Sequence, residues 1–310
     1  MRPMLEEAVG EIYRNLLPEK MVVADLGCSS GPNTLVVLSE VIKIISNQCL
    51  RVGQQPPEMQ FFLNDLRNND FNNLFRSLDH VEQRLRVGKG TISVPYFVAG
   101  LPGSFYGGLF PRHSVHFFHS SYSLMWISQE QFHRDFSHFL KLRFDELVPC
   151  GQMVLSFLGR NKKDKLDGEM STIYGLLAEA LDSMVREGLV EEEKFDTFNL
   201  PLFVPSSKEV EVIVKLQGLY DIIHFQTFES NLDPFDDDLD DNVVLDNVQS
   251  GANCAKVIRS VFEPMIANHF GSAIVDDLFS RYATNVAKHL LKEKLMLPVL
   301  ALSLKKKEVT

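Results

Sequence analysis

The first 160 residues alternate short β-branched or aromatic runs with longer stretches of helical spacing, and no other feature restricts the fold as much. Residues 21–25 (MVVAD) form an apolar run that ends at a Gly-rich turn. Residues 34–49 follow with Leu35, Val36, Leu38, Val41, Ile42, Ile44 and Ile45 at helical intervals. Residues 59–63 (MQFFL) predict the next strand, and 70–78 a short helix with Asp70 near its cap. Two more buried strands read at 94–100 and 114–119, a helix at 129–147 and a strand at 152–158. A succession of this kind predicts an α/β fold built on a doubly wound, mostly parallel sheet. Its ligands then lie outside the carboxyl ends of the strands.

Beyond Arg160 the chain becomes polar over 161–169, then predicts helices at 172–187, 207–216, 252–269 and 272–292. Residues 219–228 are strand-like, and a late strand at 298–304 suggests a final antiparallel partner for the main sheet. The expected organisation is a core over 1–160, a largely helical cap over 161–275 containing one core strand, and a return to the core over 276–310. The run 233–241 holds six aspartates and reads as a solvated loop, because the Gly and closing Glu of a calcium loop are missing.

Charge narrows the partners. Against 41 Asp and Glu stand 31 Lys and Arg, a net charge of −10, which argues against nucleic acid as a partner. No apolar run is long enough to span a bilayer, so no membrane partner is expected. The N-terminal residues lack the basic-then-apolar form of a secretory leader. Cys28, Cys49, Cys150 and Cys254 lie far apart without a CxxC pair, which suits reduced thiols in a cytoplasmic protein.

The sharpest local signal is Val23 to Asn33, VADLGCSSGPN. A strand runs into Asp25, then Gly27 and Gly31 four apart, then Pro32, suited to a first helical turn. It is neither a Walker loop nor the GxGxxG fingerprint. An acidic strand end beside an open glycine turn suits a cationic or zwitterionic nucleoside better than a pyrophosphate; a tight turn without ligand is the alternative. The second strand ends in Asn64-Asp65-Leu66, where the carboxylate is placed either to accept ribose hydroxyls or to make an Asx turn. After the third strand, Ser104, Phe105 and Tyr106 offer a hydroxyl and aromatic faces. The fourth strand ends in His119 to Trp126, with the single tryptophan beside Tyr122 and Met125. His113, His116 and His119 do not read as a metal site, because strand alternation separates His116 from the other two.

DLGCSSGPNT, FFLNDLRNNDFNNLF, GLPGSFYGGLFPRHSVHFFHSSYSLMWIS, EEEKFDTFNLP and VFEPMIANHFG, in this order, resemble the plant SABATH methyltransferases. The resemblance implies a class I S-adenosylmethionine (AdoMet) fold, a seven-stranded sheet with a helical cap, usually as a homodimer. It implies transfer of the AdoMet methyl to a small carboxylic acid, leaving S-adenosylhomocysteine. By position, Asp25, Gly27, Cys28 and Asn33 fall at the cofactor turn. Asp65 and Leu66 fall on the ribose and adenine side, and Ser104 and Phe105 flank the adenine. Tyr122, Met125 and Trp126 fall on the acceptor motif, with Trp126 donating its indole N–H to the carboxylate. Met125 points to salicylate, where benzoate- or jasmonate-type members tend to have His. Benzoate, jasmonate, indole-3-acetate and xanthine are the alternative acceptors. Leu177, Leu200, Ile258 and Leu297 are further pocket positions, Leu297 standing where the salicylate type shows Phe. Asp196, Phe198 and Asn199 match a stretch that binds magnesium in some relatives, with a helix-terminating loop as the alternative. No general base is implied. The family also carries an N-terminal segment, with a Gln that holds the substrate carboxylate, and a long loop between Gln129 and Phe132. Both are expected in the intact protein as flexible lids.

Overall fold

The computed structural model describes residues 1–31, 33–78, 93–160, 169–236, 244 and 246–308. Pro32 and residues 237–241 of the aspartate run lie outside the described residues. The chain divides into two compact units. The first comprises Met1–Leu158, Phe203–Thr227 and Leu300–Thr310, and the second Gly159–Leu202 and Phe228–Val299. The sequence places 276–310 with the core, whereas here the first unit regains the chain only at Leu300.

Seven strands form one sheet: β1 (Lys20–Leu26), β2 (Glu58–Asp65), β3 (Tyr96–Pro102), β4 (Val115–Ser121), β5 (Leu147–Leu158), β6 (Tyr220–Asn231) and β7 (Met296–Lys306). Their order is β3-β2-β1-β4-β5-β7-β6. The pairs β1–β2, β1–β4, β2–β3 and β4–β5 are parallel. Near-continuous burial along β1 and β4 is what a sheet covered on both faces requires. β7 runs the other way: Leu219 O accepts from Lys307 N at 3.0 Å and Leu295 O from Leu232 N at 2.8 Å, so sequence numbers rise on β6 as they fall on β7. The late antiparallel strand is therefore present. Strand order reverses at β1, flanked by β2 and β4, and ligands bind at such a switch point.

In the first unit, α1 (Arg2–Leu16) packs on β5 and on α2 (Asn33–Val52). The sequence reading passed over α1, although Met4, Leu5, Ala8, Val9, Ile12 and Tyr13 carry the helical interval and are buried. Asp70 caps α3 (Phe71–Arg76) by accepting from Asn73 N at 2.9 Å. The helix α4 (Gln129–Glu146) begins at once: Ser128 caps it through Gln131 N at 3.1 Å. The long loop expected there is thus not part of this chain. α4 packs on α7 (Ser207–Gln217), which opens with a capping box between Ser206 and Glu209.

The second unit contains α5 (Glu169–Arg186), α6 (Glu192–Thr197), α8 (Asn247–Phe270) and α9 (Val275–His289). A Cβ at Gly251 would lie 2.6 Å from Ala283 O, so the α8–α9 approach needs glycine there. This contact explains why α9 belongs with α8 rather than with the core. The two described aspartates of the run are less solvated than its composition suggests. Asp233 is buried, accepting from Asn253 Nδ2 at 3.1 Å and Phe235 N at 3.0 Å, while Asp236 pairs with Lys294 at 3.2 Å. Burial without partners is too costly for a carboxylate, and these donors supply them.

Candidate active site

The carboxyl ends of β1 to β4 carry the residues singled out in the sequence. The β1 turn is fixed by Asn64, which the sequence quoted without a role. Its backbone carbonyl accepts from Gly27 N and Cys28 N, both at 2.9 Å. Its side-chain amide, fully buried, donates to Leu101 O at 2.8 Å and Gly103 O at 2.9 Å, so one residue ties three strand ends together. Gly27 has φ +77°, and Ser29 reaches φ +55° without being glycine. Ser29 is held there by its N–H on Asp65 Oδ2 at 2.6 Å and by Asn69 Nδ2 on its carbonyl at 3.1 Å. Strained backbone of this kind persists only where the surroundings enforce it.

Asp25 is buried and its carboxylate is taken up by the Thr34 hydroxyl and by His119 Nδ1, the latter at 2.7 Å. Cys28 is buried, and that burial, then the Asp25 and Asp65 carboxylates, push its thiol well above the ordinary range. It is a neutral wall of the turn, with no nucleophilic thiolate. Asp65 accepts from Ser29 N and, through Oδ1, from Leu66 N at 2.7 Å. Neither bond is the contact two residues on that makes an Asx turn; the carboxylate instead ties the β2 end to the β1 turn. Two hydrogen bonds still leave lone pairs on a half-buried carboxylate. Leu66 beside it is 55% exposed, Asn33 is exposed, and a Cβ at Gly31 would meet nothing within 4 Å. Asp65 pairs in register with Pro102, which brings Ser104 and Phe105 to the neighbouring strand end.

The loop carrying Ser104, Phe105 and Tyr106 is clamped from α4. Arg143, with no exposed surface, makes a forked pair with Glu146 through Nε to Oε2 at 2.7 Å and Nη2 to Oε1 at 2.9 Å. Its remaining N–H groups reach Phe105 O at 2.8 Å and Gly107 O at 3.0 Å. Glu146 Oε1 accepts from Leu109 N at 2.8 Å and Phe110 N at 3.1 Å. A charged pair three residues apart on a helix reads as surface decoration, which is why the sequence did not reveal it.

At the end of β4, Ser120 and Ser123 both donate to Leu26 O at 2.9 Å. Tyr122 sits at φ +55° and is 46% exposed; Met125 is 43% exposed. Trp126 is 2% exposed, in edge contact with Phe132, Phe136 and Phe157. Its indole N–H has no hydrogen-bond partner among the described residues. In the second unit Leu177, Ile258 and Leu297 are buried and Leu200 is half-buried. Asp196 and Asn199 are exposed around the end of the six-residue α6, and Phe198 packs on Phe270. No three His, Cys, Asp or Glu side chains converge among the described residues, and no step is routed through a metal. Asp65 with spare lone pairs, the open Gly31 and the exposed Leu66 stand at adjoining strand ends and suit AdoMet, whereas Asp25 and Cys28 are buried behind the turn, Asp25 already taken up by Thr34 and His119.

Comparison with known proteins agrees with this geometry. The family described as SAM dependent carboxyl methyltransferase matches residues 1–130 and 129–307. The two stretches meet where α4 starts without the family's loop. The chain is 47% identical to anthranilate O-methyltransferase 3 of Zea mays, over 99% of this chain and 90% of the relative. It is 44% identical to benzoate O-methyltransferase of Zea mays, over 98% and 91%. A solved structure, loganic acid methyltransferase with SAH, superposes with a TM-score of 0.79 at 29% identity, covering 99% of this chain and 92% of that one. The chain therefore belongs to the SAM-dependent carboxyl methyltransferase (SABATH) family, an AdoMet-using enzyme of class I fold.

Proposed function

We propose that the acceptor is a small benzoate bearing a hydrogen-bonding group ortho to its carboxylate, of the anthranilate or salicylate kind. The Trp126 N–H, buried among phenylalanines without a hydrogen-bond partner among the described residues, carries the proposal, because a buried donor is costly unless an acceptor satisfies it. The names of the anthranilate and benzoate relatives support an aromatic ring, and Met125 supports the ortho substituent.

When bound, AdoMet supplies the methyl group, which passes from sulfonium to a carboxylate oxygen while the S–C electron pair returns to sulfur. The acceptor is ionised at neutral pH, so the chain need not move a proton. Asp65 would hold the cofactor through its remaining lone pairs, Phe105 and Leu66 would cover its apolar surface, and Trp126 would hold the acceptor carboxylate in place for transfer. Radiolabelled methyl transfer tests this across anthranilate, salicylate, benzoate, jasmonate and xanthine. Highest kcat/KM for anthranilate or salicylate is the expected result; jasmonate or xanthine in first place overturns it.

Two substitutions follow. Trp126→Phe keeps the aromatic wall and removes the donor, which is worth about 1.5–3 kcal/mol to an anion, so kcat/KM for the acid falls roughly 10- to 100-fold. An unaltered value refutes the assigned role. Asp65→Asn keeps one acceptor oxygen for the turn but removes the charge. Its Kd for S-adenosylhomocysteine, measured by calorimetry, should rise about 10-fold or more for a lost charge-assisted hydrogen bond. An unchanged Kd would make Asp65 a turn former only.

A further inference from the structure

The loop from β2 into α3 reaches back to the β1 turn with two side chains that the mechanism above leaves without a part. Asn69 Nδ2 donates to Ser29 O and Asn73 Nδ2 to Ser30 O, both at 3.1 Å. Asp65 Oδ2 accepts from Ser29 N at 2.6 Å, so one segment holds Ser29 by its N–H and its carbonyl and Ser30 by its carbonyl. The donors are themselves fixed. Asn69 N donates to Leu66 O and Asn69 O accepts from Phe71 N, each at 3.0 Å, while Asn73 N is bound to the Asp70 cap. The helix α3 is seated in turn: Leu74 is fully buried, and a Cβ at Gly100 on β3 would lie 3.0 Å from the Phe71 ring and 3.1 Å from that of Phe75. The latch is therefore anchored on the sheet.

Carbonyls at a surface turn do not need protein donors, because water satisfies them. Asn73 is exposed and Asn69 half-buried, so the two amides add little to folding stability. What they add is order. Ser29 stands at φ +55° without being glycine, a conformation that persists only where its surroundings impose it. A turn that has to be ordered as its ligand arrives loses affinity by the backbone entropy of each residue fixed, and one ordered in advance does not. We propose that Asn69 and Asn73 are positioning residues for AdoMet. They hold the Ser29–Ser30 turn in its binding conformation before the cofactor arrives and, through the Ser29 N–H, keep the Asp65 carboxylate in register with it. This rests on the cofactor reading of Asp65 given above and goes beyond it in naming what fixes that carboxylate and the turn together. The run NNDFNN offers four asparagines of equal standing, and the structure selects the second of each pair; Asn68 and Asn72 are exposed.

The double variant Asn69→Leu, Asn73→Leu in the full chain tests the inference, since leucine keeps the size and removes both donors. The expected result is a Kd for S-adenosylhomocysteine raised roughly 10-fold, with the urea midpoint close to the parent's. At saturating AdoMet, kcat and the KM for the acid should stay within about twofold. Asn68→Leu with Asn72→Leu places the same apolar groups on the same loop outside the latch, and should leave that Kd within about twofold. In an Asp65→Asn background the latch variant should weaken binding by less than it does alone, because part of its effect passes through that carboxylate; full additivity refutes that part. If Asp65→Asn weakens binding and the latch variant does not, the latch is refuted while the reading of Asp65 stands. If neither changes the Kd, the cofactor reading of this turn itself fails. A Kd that rises only in step with lost stability, or equally in the Asn68, Asn72 control, assigns the asparagines to folding of the loop and also refutes the inference.

Discussion

Arg143→Met is expected to destabilise the protein by about 3–5 kcal/mol, a large share of the roughly 5–15 kcal/mol that holds an ordinary domain together. Methionine fills similar space, so packing is not the main loss. What remains is the Glu146 carboxylate, 3% exposed, with its forked partner gone. Two carbonyls, Phe105 O and Gly107 O, lose their donors in the same step. Replacing both charges, as in Arg143→Met with Glu146→Leu, does not restore neutrality, because Leu109 N and Phe110 N then lose their acceptor. Arg143→Lys should also fail: one ammonium cannot reproduce a planar fork that serves Glu146 and two carbonyls. The guanidinium in addition lies 5.3 Å from the Phe118 ring centroid and 5.4 Å from that of Phe139, contacts an ammonium makes less well. Urea denaturation measures the stability. Calorimetry with S-adenosylhomocysteine, at a temperature where the variant is folded, measures the loop that carries Ser104 and Phe105. Arg143→Lys with parental stability and cofactor affinity would show that the clamp is incidental.

The contrast between what was and was not readable follows from this pair. Strands β1, β4 and β5 were legible because parallel strands buried on both faces must be apolar runs, and the glycine turn because backbone that tight needs Gly27. The run at 94–100 also reads as a buried strand, but β3 is the sheet's edge, half-exposed along its length with Phe97 56% exposed. The strand-end residues followed from the topology. Long-range polar pairing was not legible. Nothing in the spacing of Asp25 and His119, 94 residues apart, shows that they bond, nor that Asn64 braces three strand ends. Charge count misled at Asp233, since an acidic run implies solvent unless the partners, here Asn253 on α8, are known. α1 was legible in principle: Met4, Leu5, Ala8, Val9, Ile12 and Tyr13 form an unbroken helical stripe, with Glu6, Glu7 and Arg14 on the exposed face.

Gly27→Ala should be the most damaging single methyl added to this chain. Two costs are distinguishable. The first is conformational: at φ +77° an L-residue is disfavoured by about 1–2 kcal/mol. The second is steric, since the new Cβ would lie 2.1 Å from Ser123 Cβ and 2.6 Å from its Oγ. Ser123 cannot swing aside freely, its hydroxyl being held to Leu26 O at 2.9 Å with the Ser120 hydroxyl packed against it. Relief must come from the backbone between β1 and β4, at about 1–3 kcal/mol of overpacking, and the turn that shifts is the one facing the cofactor. The expected outcome is a loss of about 3 kcal/mol or more of stability, with S-adenosylhomocysteine binding weakened more than 100-fold. Ser123→Gly supplies the control. In the Gly27→Ala, Ser123→Gly double variant the overlap disappears while the positive φ remains. Stability should then recover to within the conformational cost plus one lost serine hydrogen bond, a positive coupling between the two sites. A double variant as unstable as the sum of its parts would place the whole cost in the backbone conformation. Full cofactor affinity in Gly27→Ala alone would mean that the turn adopts another path, and the site built on Asn64, Asp65 and Ser29 would have to be redrawn.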